Sequence, residues 1–387
     1  MTTQAARTGE TSVGDQVLYM ALELSDKTWK VLFANSAGKR RERTVRARDL
    51  IQLVAEIAEA KQRLGLDRSP RVVSCYEAGR DGFWLDRALR AQGIENLIVD
   101  SSSIEVQRRA RHRKTDRLDL IKLMVLLLRW AGGGAGGEKV WSVLRVPAAA
   151  DEDIRQLSRA IDRLKGERGQ HRSRIKSLLV LQGLKLASIG GRAWAKRVAE
   201  LRGWDGAPLG RHLQRDLLTQ GERLALVESQ LTALKAERAE LVAASSAPAA
   251  VKARQLAALG AIAAESSFVF ATELFGWRRF ANRRELAASV GLVPTPYQSG
   301  DMQHEQGISK AGNGRMRAML VEIALCWLRY QKESALSLWW ERRFGKTSGR
   351  ARKSAIVALA RKLLVALWRY LEQGIVPEGA KLKGRLA

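Results

Sequence analysis

Cysteine is nearly absent from this 387-residue sequence, with only Cys75 and Cys326 present. Two thiols cannot build a disulfide framework for a chain of this length, and they suit a reducing compartment. Histidine is also scarce: four scattered residues, even with the two cysteines, make no convincing zinc site. No apolar run approaches the roughly 18 residues that suggest a membrane helix. The opening MTTQAARTGETSVGDQ has no apolar core of the kind a signal peptide carries. These absences lead us to expect a soluble, cytoplasmic chain with no membrane partner. Acidic residues are outnumbered, 40 against 67 Lys and Arg, which leaves a formal charge of +27. Such an excess favours a polyanionic partner, most simply nucleic acid. Hydrophobic residues make up 46% of the chain, enough for real cores, and the length suggests two or three domains.

The most informative stretch runs from Arg108 to Trp130. It begins with a basic cluster, Arg108, Arg109, Arg111, Arg113 and Lys114, suited to holding phosphates. Thr115-Asp116-Arg117-Leu118-Asp119 follows and opens an apolar helix. At this spacing Asp116 and Asp119 share a helical face, with Cβ atoms about 5–6 Å apart. Carboxylates that close repel unless a cation lies between them. A hard divalent ion, Mg2+ or Mn2+, takes oxygen ligands and joins carboxylates to substrate phosphates. The same residues also suit an ordinary helix start, with Thr115 as N-cap and the acids in the first turn.

Upstream, the hydropathy pattern predicts strands at 17–24, 28–34 and 43–46, a helix over 47–64 and a strand at 71–76. A helix at 83–91 and a strand at 96–99 complete the order βββαβαβ, with the Asp116 helix after it. Glu23 falls inside the apolar first strand, where a buried acid needs a partner, a metal or a proton. Glu77 falls at the carboxyl end of a strand, where α/β sheets place ligands. Glu23, Glu77, Asp116 and Asp119 can therefore converge, as in an RNase H-like, RuvC-like fold. There, two metals roughly 3.5–4 Å apart activate an attacking oxygen and stabilise a leaving one. We place this α/β domain at 15–147, its glycine-rich segment 131–137 serving as a flexible linker.

From 148 to 248 the pattern is helical and highly charged. Apolar stripes through Ile154, Leu157, Ile161, Leu164, Ile175, Leu178 and Leu179, and again from Leu224 to Leu241, suit an antiparallel hairpin or a dimeric coiled coil. A basic face of Lys165, Arg168, Arg172, Arg174 and Lys176 is a further candidate for nucleic-acid contact. The third region, 249–387, is mostly helical. Leu256 to Ile262 reads as a degenerate helix-hairpin-helix turn, in which Gly260 would let backbone grip a phosphate. Gly345-Lys346-Thr347 lacks the first glycine and the preceding strand of a nucleotide-binding P-loop, which excludes an ATPase. Lys346 and Arg350 read instead as a grip on a nucleic-acid backbone. Trp327, Trp339, Trp340 and Trp368 read as core.

The stretches ALELSDKTWKV, CYEAGRDGFW and RHRKTDRLD resemble, in order and spacing, the three acidic motifs of the DEDD transposases of bacterial insertion sequences, the Piv invertase-like IS110 family. GLVPTPYQSG and GISKAGNGRMR resemble its C-terminal transposase motif. The resemblance spans roughly residues 15–370. It implies a metal-binding tetrad at Glu23, Glu77, Asp116 and Asp119, with Glu23 standing where the family usually has aspartate. It implies that Ser299 is the nucleophile, with Ser309 the nearby alternative, and that Lys310, Asn313, Arg315 and Arg317 contact phosphates or transition-state charge. It further implies a coiled-coil middle segment that helps subunits associate into a homo-oligomer, and a structured guide RNA encoded by the element.

The reading is an α/β plus α protein: a RuvC-like N-terminal domain, a helical coiled-coil middle and a mostly helical C-terminal transposase domain. The expected activity is that of a transposase or site-specific recombinase, in which Ser299 attacks DNA with help from Mg2+ on the acidic tetrad. A metal-only RuvC-like junction nuclease and a non-catalytic nucleic-acid-binding protein are the alternatives.

Overall fold

The computed structural model describes residues 16–66, 69–104, 116–133, 140–299 and 302–384, without the side chains of residues 102, 116, 296–299 and 302–306. It divides into two compact units, 1–146 and 147–387.

The first unit is a five-stranded sheet in the order β3-β2-β1-β4-β5. Strands β1 (Val17–Leu24), β2 (Thr28–Ala34) and β3 (Arg40–Arg46) form an antiparallel meander. Strands β4 (Arg71–Glu77) and β5 (Glu95–Val99) add in parallel on the other side of β1. The mixed pattern follows from the connections. A tight turn joins antiparallel neighbours, whereas parallel ones need a crossover, here α1 (Leu50–Arg63) and α2 (Trp84–Ala91). Strand alternation sorts the core into two layers. Leu18, Met20, Leu22, Trp29, Val31, Phe33, Val72, Tyr76 and Ile98 pack against Leu53, Ile57, Leu85 and Leu89 of those helices. Ala21, Leu32, Ala34, Val73, Cys75, Leu97 and Val99 face the other way, against Leu120, Leu123, Met124 and Leu127 of α3 (Asp116–Ala131). Strand β3 starts at Arg40, earlier than its charged sequence suggested. Its arginines are held by acids of α1: Arg41 lies 3.2 Å from Glu56 and 2.7 Å from Glu59.

The second unit is helical. α4 (Ala149–Val180) and α6 (Arg211–Ala244) lie side by side. Leu157 and Ile161 of α4 cluster with Leu231, and Ile175 and Leu179 with Leu217 and Leu224, so the pair is antiparallel within one chain. Three members of the basic face predicted on α4 pair with acids of the same unit: Arg172 with Glu228 at 2.6 Å and Arg174 with Asp216 at 3.6 Å, both on α6, and Lys165 with Glu265. α5 (Trp194–Glu200) caps the pair. The Trp194 indole lies on the backbone of α6 and donates to the Leu217 carbonyl at 2.9 Å. Gly221 makes room for it, since a Cβ there would sit 2.1 Å from Trp194 Cδ1. A mid-helix glycine normally costs about 1 kcal/mol relative to alanine. Here the sign reverses, and Gly221→Ala is expected to lose about 1–3 kcal/mol through overpacking. A lower urea midpoint at unchanged slope would show it; a raised midpoint would refute the account.

α7 (Pro248–Ala257), α8 (Ala264–Phe270) with a wider turn over Ala271–Phe275, α9 (Arg283–Ser289), α10 (Gly314–Tyr330), α11 (Ala335–Phe344) and α12 (Gly349–Gln373) build the largest core. Trp327 and Trp340 are buried in it, with Trp339 and Trp368 packed at its margin. The turn at Leu256–Ile262 spends its glycine N–H inside the protein. The Gly260 N–H donates to the Lys381 carbonyl at 3.0 Å, and a Cβ at Gly260 would meet the Gln331 side chain at 2.4 Å. The phosphate grip expected at Gly260 is therefore replaced by an internal packing joint. Among the described residues no helix is long and apolar enough to cross a membrane.

Candidate active site

Two of the acids expected from sequence lie at neighbouring strand ends. β1 and β4 run parallel with Leu22 beside Tyr76, so Glu23 and Glu77 follow as the next residue on each strand. Residues two earlier, Ala21 and Cys75, are fully buried under α3. Alternation therefore turns Glu23 and Glu77 to the α3 face as well. Glu77 is exposed and Glu23 half-buried. α3 crosses that face between two anchors: Arg117 reaches Glu42 of β3 at 3.2 Å, and the Leu123 carbonyl lies 3.9 Å from the Cys75 thiol. Half-buried Asp119 falls between these anchors, and Asp116 is the first residue of the helix. Burial pushes the Cys75 thiol far above its ordinary range, so it stays protonated and takes no part as a ligand.

Three elements thus bring Glu23, Glu77 and Asp119 to one face of one sheet. Among the described residues no group of three or more His, Cys, Asp or Glu is close enough to hold a metal ion; the Asp116 side chain lies outside that description. In type, the donor set fits a hard divalent cation, because every member is a carboxylate. Asp26, in the β1–β2 turn, is engaged elsewhere, paired with Arg48 and Arg80 at 3.2 Å each. Lys30 was not anticipated. It sits directly across from Glu23 in the β1–β2 register, placing a cation beside this acid. The β1–β2 hairpin spacing was the signal that could have found it.

Ser299 lies in the second unit. The Pro- and Gly-containing GLVPTPYQSG segment enters an antiparallel pair, β6 (Pro294–Ser299) and β7 (Met302–Ile308), with a register irregularity between Pro294 and Pro296. Ser299 ends β6, opposite Met302; its side chain lies outside the description. After β7 the chain folds back on the end of α9. The Ser309 N–H donates to Val293 O at 2.9 Å and the Lys310 N–H to Gly291 O at 3.2 Å. This close return requires two glycines with positive φ. A Cβ at Gly291 would lie 2.0 Å from Ala311 O, and one at Gly312 would lie 2.3 Å from Ser289 O.

The remaining sequence-named phosphate contacts divide into three groups. Arg108, Arg109, Arg111, Arg113 and Lys114 lie outside the described residues. Lys310, Lys346 and Arg350 are exposed. Asn313, Arg315 and Arg317 are engaged within the protein. Asn313 caps α10 by accepting from the Met316 N–H at 3.2 Å, and Arg317 donates to Val290 O at 2.9 Å.

The family can now be placed. Residues 253–338, which include Ser299 and the loop after it, match the transposase family IS116/IS110/IS902. A Sinorhizobium fredii protein that carries a transposase name, y4rJ, is 41% identical over 378 residues, covering 95% of this chain and 94% of its own length. The chain belongs to the IS116/IS110/IS902 transposase family. A second transposase-named S. fredii protein, y4qE, is 30% identical over 321 residues, covering 77% of this chain and 74% of its own. The transposase for insertion sequence element IS1111A of Coxiella burnetii is 26% identical over 229 residues, covering 57% of this chain and 58% of its own.

Within this transposase, Arg315 serves a buried ionic knot. Glu273, 2% exposed, sits in the wide turn after α8. Arg159 of α4 grips it with two donors at 3.0 and 3.2 Å, and Arg315 of α10 adds a third at 2.9 Å. Arg315 also pairs with Asp162 at 2.5 Å and donates to the Ser158 hydroxyl at 3.3 Å. Burial alone would push Glu273 up, but Arg159, Arg315 and Arg155 outweigh it and hold the carboxyl below its ordinary value. Sequence reasoning missed Glu273, which lies in an apolar run and has its partners far away in the chain.

Proposed function

We propose that this chain is an insertion-sequence transposase that cuts and rejoins DNA. In this reading Ser299 is the nucleophile, and Glu23, Glu77, Asp116 and Asp119 hold Mg2+ or Mn2+. The observation that carries it is the β1–β4 register, which puts Glu23 and Glu77 side by side on the face that α3 crosses. The antiparallel β1–β2–β3 meander with parallel β4 and β5 supports an RNase H-like, RuvC-like first unit. The relatives named as transposases support DNA as substrate.

The proposed step is a transesterification. Ser299 Oγ attacks phosphorus, the bond to the departing DNA oxygen breaks, and a phosphoserine diester forms. The serine proton passes to solvent, and the departing oxygen takes one up. A second DNA hydroxyl reverses the exchange and releases Ser299, so rejoining needs no outside energy source. A divalent ion on the tetrad would supply Lewis acidity to the phosphate oxygens. The chain's own contribution is positional: β6 presents Ser299 at its end, the Gly291–Gly312 return fixes the following loop, and exposed Lys310, Lys346 and Arg350 join the basic run before α3 in gripping phosphates. A structured guide RNA and a homo-oligomer complete this reading, and the +27 charge supports the RNA.

The test is a denaturing gel that detects a covalent protein–DNA adduct, using labelled element-end DNA with Mg2+ and any cognate RNA. The wild type is expected to form an adduct that Ser299→Ala and Asp119→Ala both abolish. Cleavage without an adduct, unchanged in Ser299→Ala, would select a metal-only nuclease. Tight binding without cleavage would select a non-catalytic binding protein.

A further inference from the structure

The far end of the α4–α6 pair holds an indole that the rest of the unit leaves uncovered. Trp204 is 82% exposed. It stands on a turn that is closed on itself. The Gly203 N–H donates to Ala207 O at 2.8 Å, the Gly206 N–H donates to Gly203 O at 3.0 Å, and Arg202 bridges to Pro208. The Asp205 carboxylate accepts from the Ala207 N–H at 3.0 Å. The turn after α4 braces this one: a Cβ at Gly183 would lie 3.3 Å from Trp204 Cβ. The ring is therefore displayed from a built base. Val180 and Leu181, at the end of α4, are also exposed.

Trp204 on a braced turn, with exposed Val180 and Leu181 on the adjoining end of α4, offers apolar surface to a partner, and the surroundings decide which. Between Leu181 and Arg215 the sequence has seven Lys and Arg against two acids. One of those acids, Asp205, is engaged within the turn. Lys185, Arg192, Arg202 and Arg211 are all exposed. A second copy would bring the same charge and be repelled, whereas a polyanion is complemented. An indole among cations is the composition of a stacking platform for unpaired bases, in which the ring takes the base and the cations take the flanking phosphates. Strand exchange with staggered cuts would expose such bases.

We propose that the Trp204 turn is a DNA contact. An unpaired base stacks on the Trp204 indole, and Lys185, Arg202 and Arg211 hold the neighbouring phosphates. The inference rests on the transposase reading above and adds a site remote in sequence from both the acidic residues and Ser299.

The test measures anisotropy of labelled single-stranded DNA, duplex DNA and single-stranded RNA on the full chain, comparing wild type, Trp204→Ala and Trp204→Phe. Sedimentation velocity is run on each protein. Because Trp204 is exposed, neither variant should alter folding. Trp204→Ala is expected to weaken single-stranded DNA binding by about 5- to 150-fold. Duplex binding should fall less, Trp204→Phe should restore most of the loss, and sedimentation should be unchanged. Wild-type DNA binding that is equal in Trp204→Ala would overturn this inference and leave the transposase reading standing. Loss of RNA binding alone, or of an oligomer, would overturn it in favour of an RNA or a second copy. A wild type that binds no DNA would overturn both readings.

Discussion

Glu77→Gln is expected to lower strand cleavage on the order of a thousandfold while leaving the fold intact, a loss of the size seen when one group stabilising transition-state charge is removed. Glu77 is exposed at the end of β4 and belongs to neither core layer of the sheet. Exposed substitutions of this kind change stability by no more than about 0.5 kcal/mol. The carboxylate, in contrast, is one of the few places on this face where negative charge can meet a cation. Glutamine keeps the length and polarity but removes that charge. The measurement is cleavage rate with Mg2+ and with Mn2+, alongside a denaturation curve. Loss of cleavage at constant stability supports the tetrad. Equal cleavage in the variant would remove Glu77 from it, and a parallel loss of stability would make its role structural. Glu23→Asp belongs in the same experiment. Aspartate is one methylene shorter and lies opposite Lys30, so retained or increased cleavage is expected if Glu23 serves as a ligand.

The second large effect concerns stability. Glu273→Ala is expected to cost about 2–3 kcal/mol, because Arg159 loses the carboxylate it grips and Arg315 is left with Asp162 alone, while the half-exposed Arg159 can turn to water. The loss should appear as a lower denaturation midpoint at unchanged slope. Acid should reveal the same knot in the wild type. The folded Glu273 carboxyl is held below its unfolded value, so its contribution is fully present above the ordinary glutamate range. That contribution fades as pH falls through the lower, folded value. Glu273→Gln should lack this acid-sensitive component. If Glu273→Gln lost as much stability on acidification as the wild type does, the three arginines would not depend on the charge. The knot also bears on Arg315, which looked like a phosphate contact in the GNGRMR motif. With its guanidinium on Glu273, Asp162 and Ser158, Arg315 ties α10 to α4, and the positions of Asn313 and the preceding loop follow from that tie.

Local pattern was enough for most elements. The short, nearly continuous apolar runs of β1, β2 and β4, the three-and-four spacing on α4 and α6, and the apolar stretch of α3 were legible because each is a pattern among neighbours in sequence. Fold class and the acids worth testing came from the same patterns, and the family from motif order. The β6–β7 pair was not legible, since two prolines and two glycines in GLVPTPYQSG outweigh any strand signal until a partner strand supplies hydrogen bonds. Gly260 read as a phosphate grip, yet it and Gly221 are each set by a distant side chain or backbone that must come close. Whether a charge is free or already spent was equally hidden. Arg315 and Lys310 lie in one motif, but only the fold brings Glu273 and Asp162 to the first and leaves the second exposed. Charge–charge partners are chosen by proximity in space, and proximity in space is what a linear pattern does not carry.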